Sequence, residues 1–474
     1  MVRDVEREIF PPMPDVAAAA IALPTPRFRP PAPEPLERDP GVMMLFNPRM
    51  TRNPLTAIPR EAFERPYRKA RFLHLTYHGV YEPDAIKRVL LDRADVYVRP
   101  ELVRRILRPL LGDSLLSANG EDWRRQRRLM APAFAPSAVG GAAPQIDAAA
   151  GRSCARMADG GGTVDVAVEA TRATLEIIDA TLFSGASGMP FEDTADDVRD
   201  LLAGGGELRL SQVFGLQALD WGAAQRRGRR AQTRLRSRMA AMIRARAEAD
   251  DAPDDFVTRM LRAFLAEHPR ETAERLTLDN AMTFFVAGHE TTANGLAWAL
   301  YLLSRDPQAQ AWARDEAFEA WRGGDPAAVA DRLMYLRMVW DETLRLYPPV
   351  LRIDRQATED DELCGEPVKA GDMVTIWPWV LHRHRRLWDE PDAFNPENFD
   401  PEARAGRHRY QYLPFGAGPR ICIGMGLANT EALILLSRWL TAFRFEPAGG
   451  AEPWPRADIA LRADGGIPLR VSRL

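Results

Sequence analysis

The longest uninterrupted helical pattern in the chain covers residues 276–305. Thr277 stands where an N-cap is needed, and Asp306 followed by Pro307 marks the stop. At 1.5 Å per residue such a helix spans roughly 40 Å, enough to cross a whole domain. Length alone suggests about three domains of ~150 residues. However, no Gly/Ser linker and no abrupt change of composition divides the body of the 474-residue chain. The pattern therefore predicts a single domain over residues 41–474, with 46% hydrophobic residues to fill its core. Residues 1–40 read differently. Seven prolines fall between positions 24 and 40, which predicts an extended arm laid along the body or a partly disordered tail.

Helical patterns dominate the rest: residues 82–93, 121–131, 164–183, 191–210, 223–250, 307–321, 331–346 and 424–443. Residues 95–118 and 211–222 read as connectors, and 389–420 as a turn-rich stretch. Short strands are expected at 350–358, 372–377, 458–462 and 467–472. The fold class is mainly α with a small β part.

Several functions are excluded early. The net charge is -3, with 63 basic and 66 acidic residues, which is no nucleic-acid footprint. The three cysteines, Cys154, Cys364 and Cys422, are too dispersed for a disulfide framework or a zinc site built on close pairs. That usage fits a reducing, cytoplasmic compartment. The apolar run at residues 16–23 is eight residues long, against the ~20 that a membrane span needs. It has neither the basic flank nor the cleavage pattern of a secretory signal. No membrane anchor is expected.

The most informative segment is Phe415-Gly416-Ala417-Gly418-Pro419-Arg420-Ile421-Cys422-Ile423-Gly424. A lone cysteine ends a Gly-rich loop and begins a helix, whose N-terminus favours a thiolate. Gly416, Gly418 and Gly424 permit a tight turn with backbone N–H groups aimed at the sulfur. Arg420 can reach an anionic group on a bound cofactor, and Phe415 can pack beneath a flat macrocycle. A buried structural cysteine is the bland alternative. The complete Phe-x-x-Gly-x-Arg-x-Cys-x-Gly pattern, however, resembles the signature of the cytochrome P450 superfamily, in which the cysteine thiolate binds heme iron.

Four further segments carry the resemblance, in chain order, from about residue 65 onward. Trp123-Arg124-Arg125-Gln126-Arg127-Arg128 resembles a helix whose Trp123 and Arg127 meet a heme propionate; Arg355 matches another propionate contact. Ala287-Gly288-His289-Glu290-Thr291-Thr292 resembles the oxygen-activation segment. There the resemblance gives proton delivery to Thr291 and Glu290, and Gly288 would bring the helix close to the heme. A hydroxyl at 291 can also bond back to the carbonyl of Ala287 and loosen the helix. His289 is not expected to be a ligand. Glu342 and Arg345 match a buried, structural Glu-x-x-Arg pair. Asn398 stands where this family usually has a third arginine. A neutral bridge from Asn398, or substitution by His382 or Arg385, is expected there.

The resemblance implies a cytochrome P450 fold with heme b between the long central helix and the helix after Cys422. It implies a monomeric heme-thiolate monooxygenase that uses O2 and hydroxylates or epoxidises a hydrophobic small molecule, such as a fatty acid or terpenoid. Alternatives are a peroxide-driven peroxygenase and a heme-thiolate binding protein without turnover. No nucleotide or flavin motif and no iron–sulfur cysteine cluster is found. Electrons are thus expected from a separate ferredoxin or flavodoxin with its reductase, steered by Arg124, Arg125 and Arg128 turned outward. Expected pocket walls are residues 95–118, the 191–250 helix pair, Val286, Ala287, Val350 and Leu351.

Overall fold

The computed structural model describes residues 27–72, 75–205, 222–457 and 460–474. The longer helices, in chain order, are α1 (Glu101–Leu111), α2 (Gly120–Met130), α3 (Pro136–Asp159), α4 (Val166–Phe183), α5 (Phe191–Gly205) and α6 (Ala223–Glu248). They continue as α7 (Phe256–Leu265), α8 (Arg270–Arg305), α9 (Pro307–Trp321), α10 (Pro326–Arg332), α11 (Met334–Leu346) and α12 (Met425–Ala442). The mainly α reading holds.

Helix α8 organises the molecule. It is longer than its apolar pattern suggested, beginning at Arg270 after Pro269, so Thr277 is not the cap. Thr277 lies inside the helix, fully buried, and donates to the Ala273 carbonyl at 2.8 Å. The added first turn and a half, with Glu271 and Glu274, is charged and carries no apolar stripe to announce it. The N-terminal half of α8, from Ala273 to Val286, belongs to one hydrophobic core, with Leu175, Leu235, Met239 and Phe264. Its C-terminal half, from Ala293 to Leu303, belongs to a second, with Trp340, Leu344, Leu433 and Trp439. The stretch 287–292 lies between the two cores.

A five-stranded sheet flanks the helices: β1 (Tyr67–Phe72), β2 (Leu75–Val80), β3 (Tyr97–Val98), β4 (Ile353–Ala357) and β5 (Met373–Ile376), in the order β1-β2-β5-β4-β3. β2 and β5 pair in parallel; the other neighbours are antiparallel. The β3–β4 register sets Val98 opposite Gln356. One step further brings Arg99 level with Arg355. A second sheet joins Pro468–Arg473 to Phe443–Pro447 and Thr163–Asp165.

Three expectations fail here. Residues 95–118 are not a plain connector, because Glu101–Leu111 is helical despite Pro109. Helix α3 went unread, since Gly140, Gly141, Pro144 and Gly151 look like breakers. Ala143, Ile146, Ala149, Ala150 and Met157 nevertheless form a buried face of mostly small residues, set against α12. Helix α7 was also missed. The connector at 211–222 and the arm before residue 27 lie outside the described residues, apart from Gly222. From Arg27 on, the chain lies along the body. Phe394 N–H donates to Phe28 O at 2.8 Å, and Tyr347 OH to Pro31 O at 2.9 Å.

Candidate active site

The Cys422 loop hangs on two left-handed glycines, Gly416 (φ 71°) and Gly418 (φ 68°). At Gly418 no other residue fits: a Cβ there would sit 1.8 Å from the Leu90 carbonyl oxygen. Gly424 has φ -88° and serves instead as N-cap of α12. The loop closes with Cys422 N–H donating to Phe415 O at 2.9 Å and Ile421 N–H to Gly418 O at 3.0 Å.

The Cys422 sulfur is deep within the protein yet accessible, because it opens onto an internal cavity of about 450 Å³. Burial pushes its thiol up. The backbone at Gly424 and the Arg127 guanidinium pull the other way without winning. The helix N-terminus thus favours the thiolate, as its place in the sequence suggests, but does not outweigh burial; a bound cation at the sulfur would.

The same cavity is lined by Trp123, Arg127, Arg355, Phe415, Arg420 and Gly424. Arg127 donates to Ile421 O at 2.9 Å, pinning the residue before the cysteine. Arg420 donates to Ala118 O (3.1 Å) and Asn119 Oδ1 (2.8 Å) and stacks 4.4 Å over Trp123. Arg355 donates to Asp354 O at 2.9 Å. A fourth guanidinium, Arg99, was not foreseen; only the β3–β4 register brings it here. Among the described residues none of these four arginines is ion-paired. Arg99 Nε and Arg420 Nη1 are buried without a partner. Burial, then mutual repulsion, lowers Arg420 to about 9 and Arg99 to about 10, while burial lowers Arg355 to about 10. Unpaired buried cations at this density call for an anionic ligand. A macrocycle with two carboxylates and a metal centre fits them and the lone sulfur.

From α8 the cavity receives Val286, Ala287, Gly288, Glu290, Thr291 and Thr292. Four successive carbonyls there accept side-chain donors. Thr291 Oγ1 reaches Ala287 O (2.9 Å), Thr292 Oγ1 reaches Gly288 O (3.3 Å), Thr174 Oγ1 reaches His289 O (3.1 Å) and Asn294 Nδ2 reaches Glu290 O (2.9 Å). Such bonds loosen a helix locally. A side chain at Gly288 would strike Ile178 Cδ1 at 2.7 Å, so this glycine serves the approach of α4 to α8. His289 faces away from the cavity; its Nδ1 lies 2.6 Å from Phe285 O, and burial lowers it to about 4, leaving it neutral.

The expected walls hold in part. Val350 lines the cavity, but Leu351 is buried in the core and does not. Leu201 of α5 contributes, whereas no residue of α6 does; α6 packs against both α5 and α8. Ile178, Leu182 and Glu431 are unforeseen lining residues. Glu431, on α12, is 1% exposed, and its Oε1 has no partner. Burial holds its carboxyl well above the usual range.

Behind the loop lies the Glu342–Arg345 pair, both 0% exposed and doubly bonded at 2.6 and 2.7 Å. Arg345 also donates to the carbonyls of His382, Pro391 and Ala393. His382 in turn accepts from Leu413 N–H at 2.8 Å, which ties the pair to the cysteine loop. Asn398 bridges to Glu342 at 3.2 Å. Neither His382 nor Arg385 substitutes for it: Arg385 bonds Asp392 at the surface. The extra cation near Glu342 is Arg407, stacked over Trp388 and Phe399 and bonded to Asn398 O. Of the arginines expected outward, Arg124 and Arg128 are exposed, but Arg125 is half-buried and paired with Glu267.

The family model described as Cytochrome P450 matches residues 34–465. Cyclooctatin synthase of Streptomyces melanosporofaciens is 33% identical, covering 82% of this chain and 84% of that protein. Cyclooctat-9-en-7-ol 5-monooxygenase from the same organism is 33% identical (76% and 82% covered), and leukotriene-B4 omega-hydroxylase 3 of Mus musculus 30% (82% and 79%). In three dimensions the chain is similar to the crystal structure of the cytochrome P450DA heme domain, with a TM-score of 0.73 at 23% identity, over 86% of this chain and 90% of that one.

Proposed function

The chain belongs to the cytochrome P450 family, and on that premise we propose which of its residues serve the reaction and how. As a member it is a heme monooxygenase that acts on a hydrophobic substrate and draws electrons from a redox partner. No helix among the described residues is long and apolar enough to cross a membrane. When bound, the heme supplies the centre at which dioxygen is activated and one oxygen atom is transferred, the other leaving as water.

In our reading Cys422 binds the iron, and Arg99, Arg127, Arg355 and Arg420 hold the two carboxylates of heme b, with Trp123 and Phe415 against its ring. The observation that carries this is one cavity lined by the Cys422 sulfur, four guanidiniums that among the described residues have no ion pair, and the Glu290–Thr291 pair. Thr291 Oγ1 is anchored on the Ala287 carbonyl at 2.9 Å and keeps lone pairs free to accept a proton as it gives one up. Glu290, its neighbour, is the acid that resupplies it. This acid–alcohol pair favours O2-driven hydroxylation or epoxidation over a peroxide-driven reaction. Electrons would come from a separate ferredoxin or flavodoxin, with Arg124 and Arg128 on its docking side.

The test is product formation from a hydrophobic panel with NAD(P)H, reductase and ferredoxin, compared with peroxide alone. Turnover that requires the electron-transfer proteins supports the reading. Turnover with peroxide alone at an equal rate contradicts it.

A further inference from the structure

The cavity changes character from one end to the other. Its cations are Arg99, Arg127, Arg352, Arg355 and Arg420; among the described residues no other arginine and no lysine lines it. Four of them, Arg99, Arg127, Arg355 and Arg420, crowd round the cysteine loop, where the two carboxylates of the cofactor would engage them. The fifth, Arg352, is held by Asp354 at 2.8 Å.

Around α8 the walls are apolar: Leu107, Leu111, Leu115, Ile178, Leu182 and Leu201, with the rings of Phe134 and Phe284 beside them. The hydroxyls there are already engaged. Thr283 Oγ1 donates to Asp279 O at 2.9 Å and Thr292 Oγ1 to Gly288 O at 3.3 Å. The ionisable side chain on this face of α8 is Glu290, an acid. A substrate carboxylate would leave water for an apolar wall that, among the described residues, offers no free cation. Such a transfer is strongly unfavourable.

Resting on the heme site proposed above, we propose that the substrate is an uncharged, predominantly hydrocarbon molecule, and that the cavity discriminates against carboxylates such as fatty acids. Leucine, isoleucine and phenylalanine walls match a bulky hydrocarbon skeleton by contact area alone, without a directional anchor at its far end.

The experiment uses pairs that differ only in charge: geranylgeraniol with geranylgeranic acid, and hexadecanol with hexadecanoic acid. Each is titrated into the ferric holoprotein at a pH where the acids are ionised, and the heme absorption shift is read. At least one alcohol is expected to bind about tenfold or more tighter than its acid, the gap narrowing as pH falls and the acid is neutralised. Val103→Lys, which places a flexible cation in the wall of α1, should raise acid affinity selectively. An acid that binds as tightly as its alcohol, or no shift from either alcohol, overturns the proposal. The ferrous–carbon monoxide spectrum is taken first on the same sample. Loss of its thiolate band would strike at the heme site itself, whereas an intact band with acid preference strikes at this proposal alone.

Discussion

The side-chain amide of Asn398 donates to both carboxylate oxygens of Glu342, at 3.3 and 3.2 Å, while its own backbone carbonyl accepts from Arg407. One neutral residue and one stacked cation thus share a task that the family resemblance would give to a single arginine. Glu342 also receives Asn395 N–H at 2.8 Å. The carboxylate is therefore fully satisfied without water.

Breaking this network should show as lost stability rather than lost chemistry. Glu342→Ala strands Arg345 at zero exposure and should destabilise by about 3–5 kcal/mol. Asn398→Ala removes one donor to a charged carboxylate and should cost less, about 1.5–3 kcal/mol. Denaturant unfolding of the holoprotein measures both; a Glu342→Ala cost no larger than that of Asn398→Ala would contradict the assignment.

Arg99 offers a separate check, because among the described residues it has no hydrogen-bonded or ion-paired side chain to explain its burial. A charge-assisted bond is worth about 1.5–3 kcal/mol, so Arg99→Ala should speed heme loss about tenfold or more. Transfer of heme to excess apomyoglobin reads this directly, without turnover. Unchanged transfer would remove Arg99 from the cofactor's surroundings.

At Thr291 the hydroxyl, not the side-chain shape, is the argued agent. Thr291→Ala should lower product formed per electron consumed by about tenfold or more, within the usual reach of general acid–base catalysis. Thr291→Ser keeps a hydroxyl that can bond Ala287 O and should recover most of the loss. A serine variant as impaired as the alanine variant would argue for a packing role.

Glu431 makes a pH prediction. Burial raises its folded-state value well above the ordinary 4.5, so across that window the native protein holds one proton more than the unfolded chain. Stability from this group is complete below pH 4.5 and falls as pH rises towards the folded value. The slope is about 1.4 kcal/mol per pH unit. Glu431→Gln should lack that component, so its unfolding free energy should gain on the wild type with rising pH. Parallel pH profiles would mean that the acid is paired in solution.

The cysteine loop, α8 and the Glu342–Arg345 helix were legible because each carries its cause locally: glycines where φ is positive, an apolar stripe, an i, i+3 spacing. Arg99 was not legible. It converges on Arg355 through strand register and on Arg420 across more than 300 residues of chain, and neither leaves a local mark. Helix α3 was hidden for the opposite reason: Gly141, Pro144 and Gly151, which look like breakers, lie on its exposed side, while Ala143, Ala149 and Ala150 form the buried face set against α12. Leu351 and Val350 show the limit of reading strand-edge residues, since one turns into the core and its neighbour into the cavity.

The reading as a whole rests on sulfur coordination at Cys422. Absorption of the reduced protein under carbon monoxide, for the wild type and Cys422→Ser side by side, is the direct measurement. The wild type should show the red-shifted band of a thiolate-ligated heme, and the serine variant should lose it while still folding. A wild type without that band, or a serine variant that keeps it, would contradict the assignment.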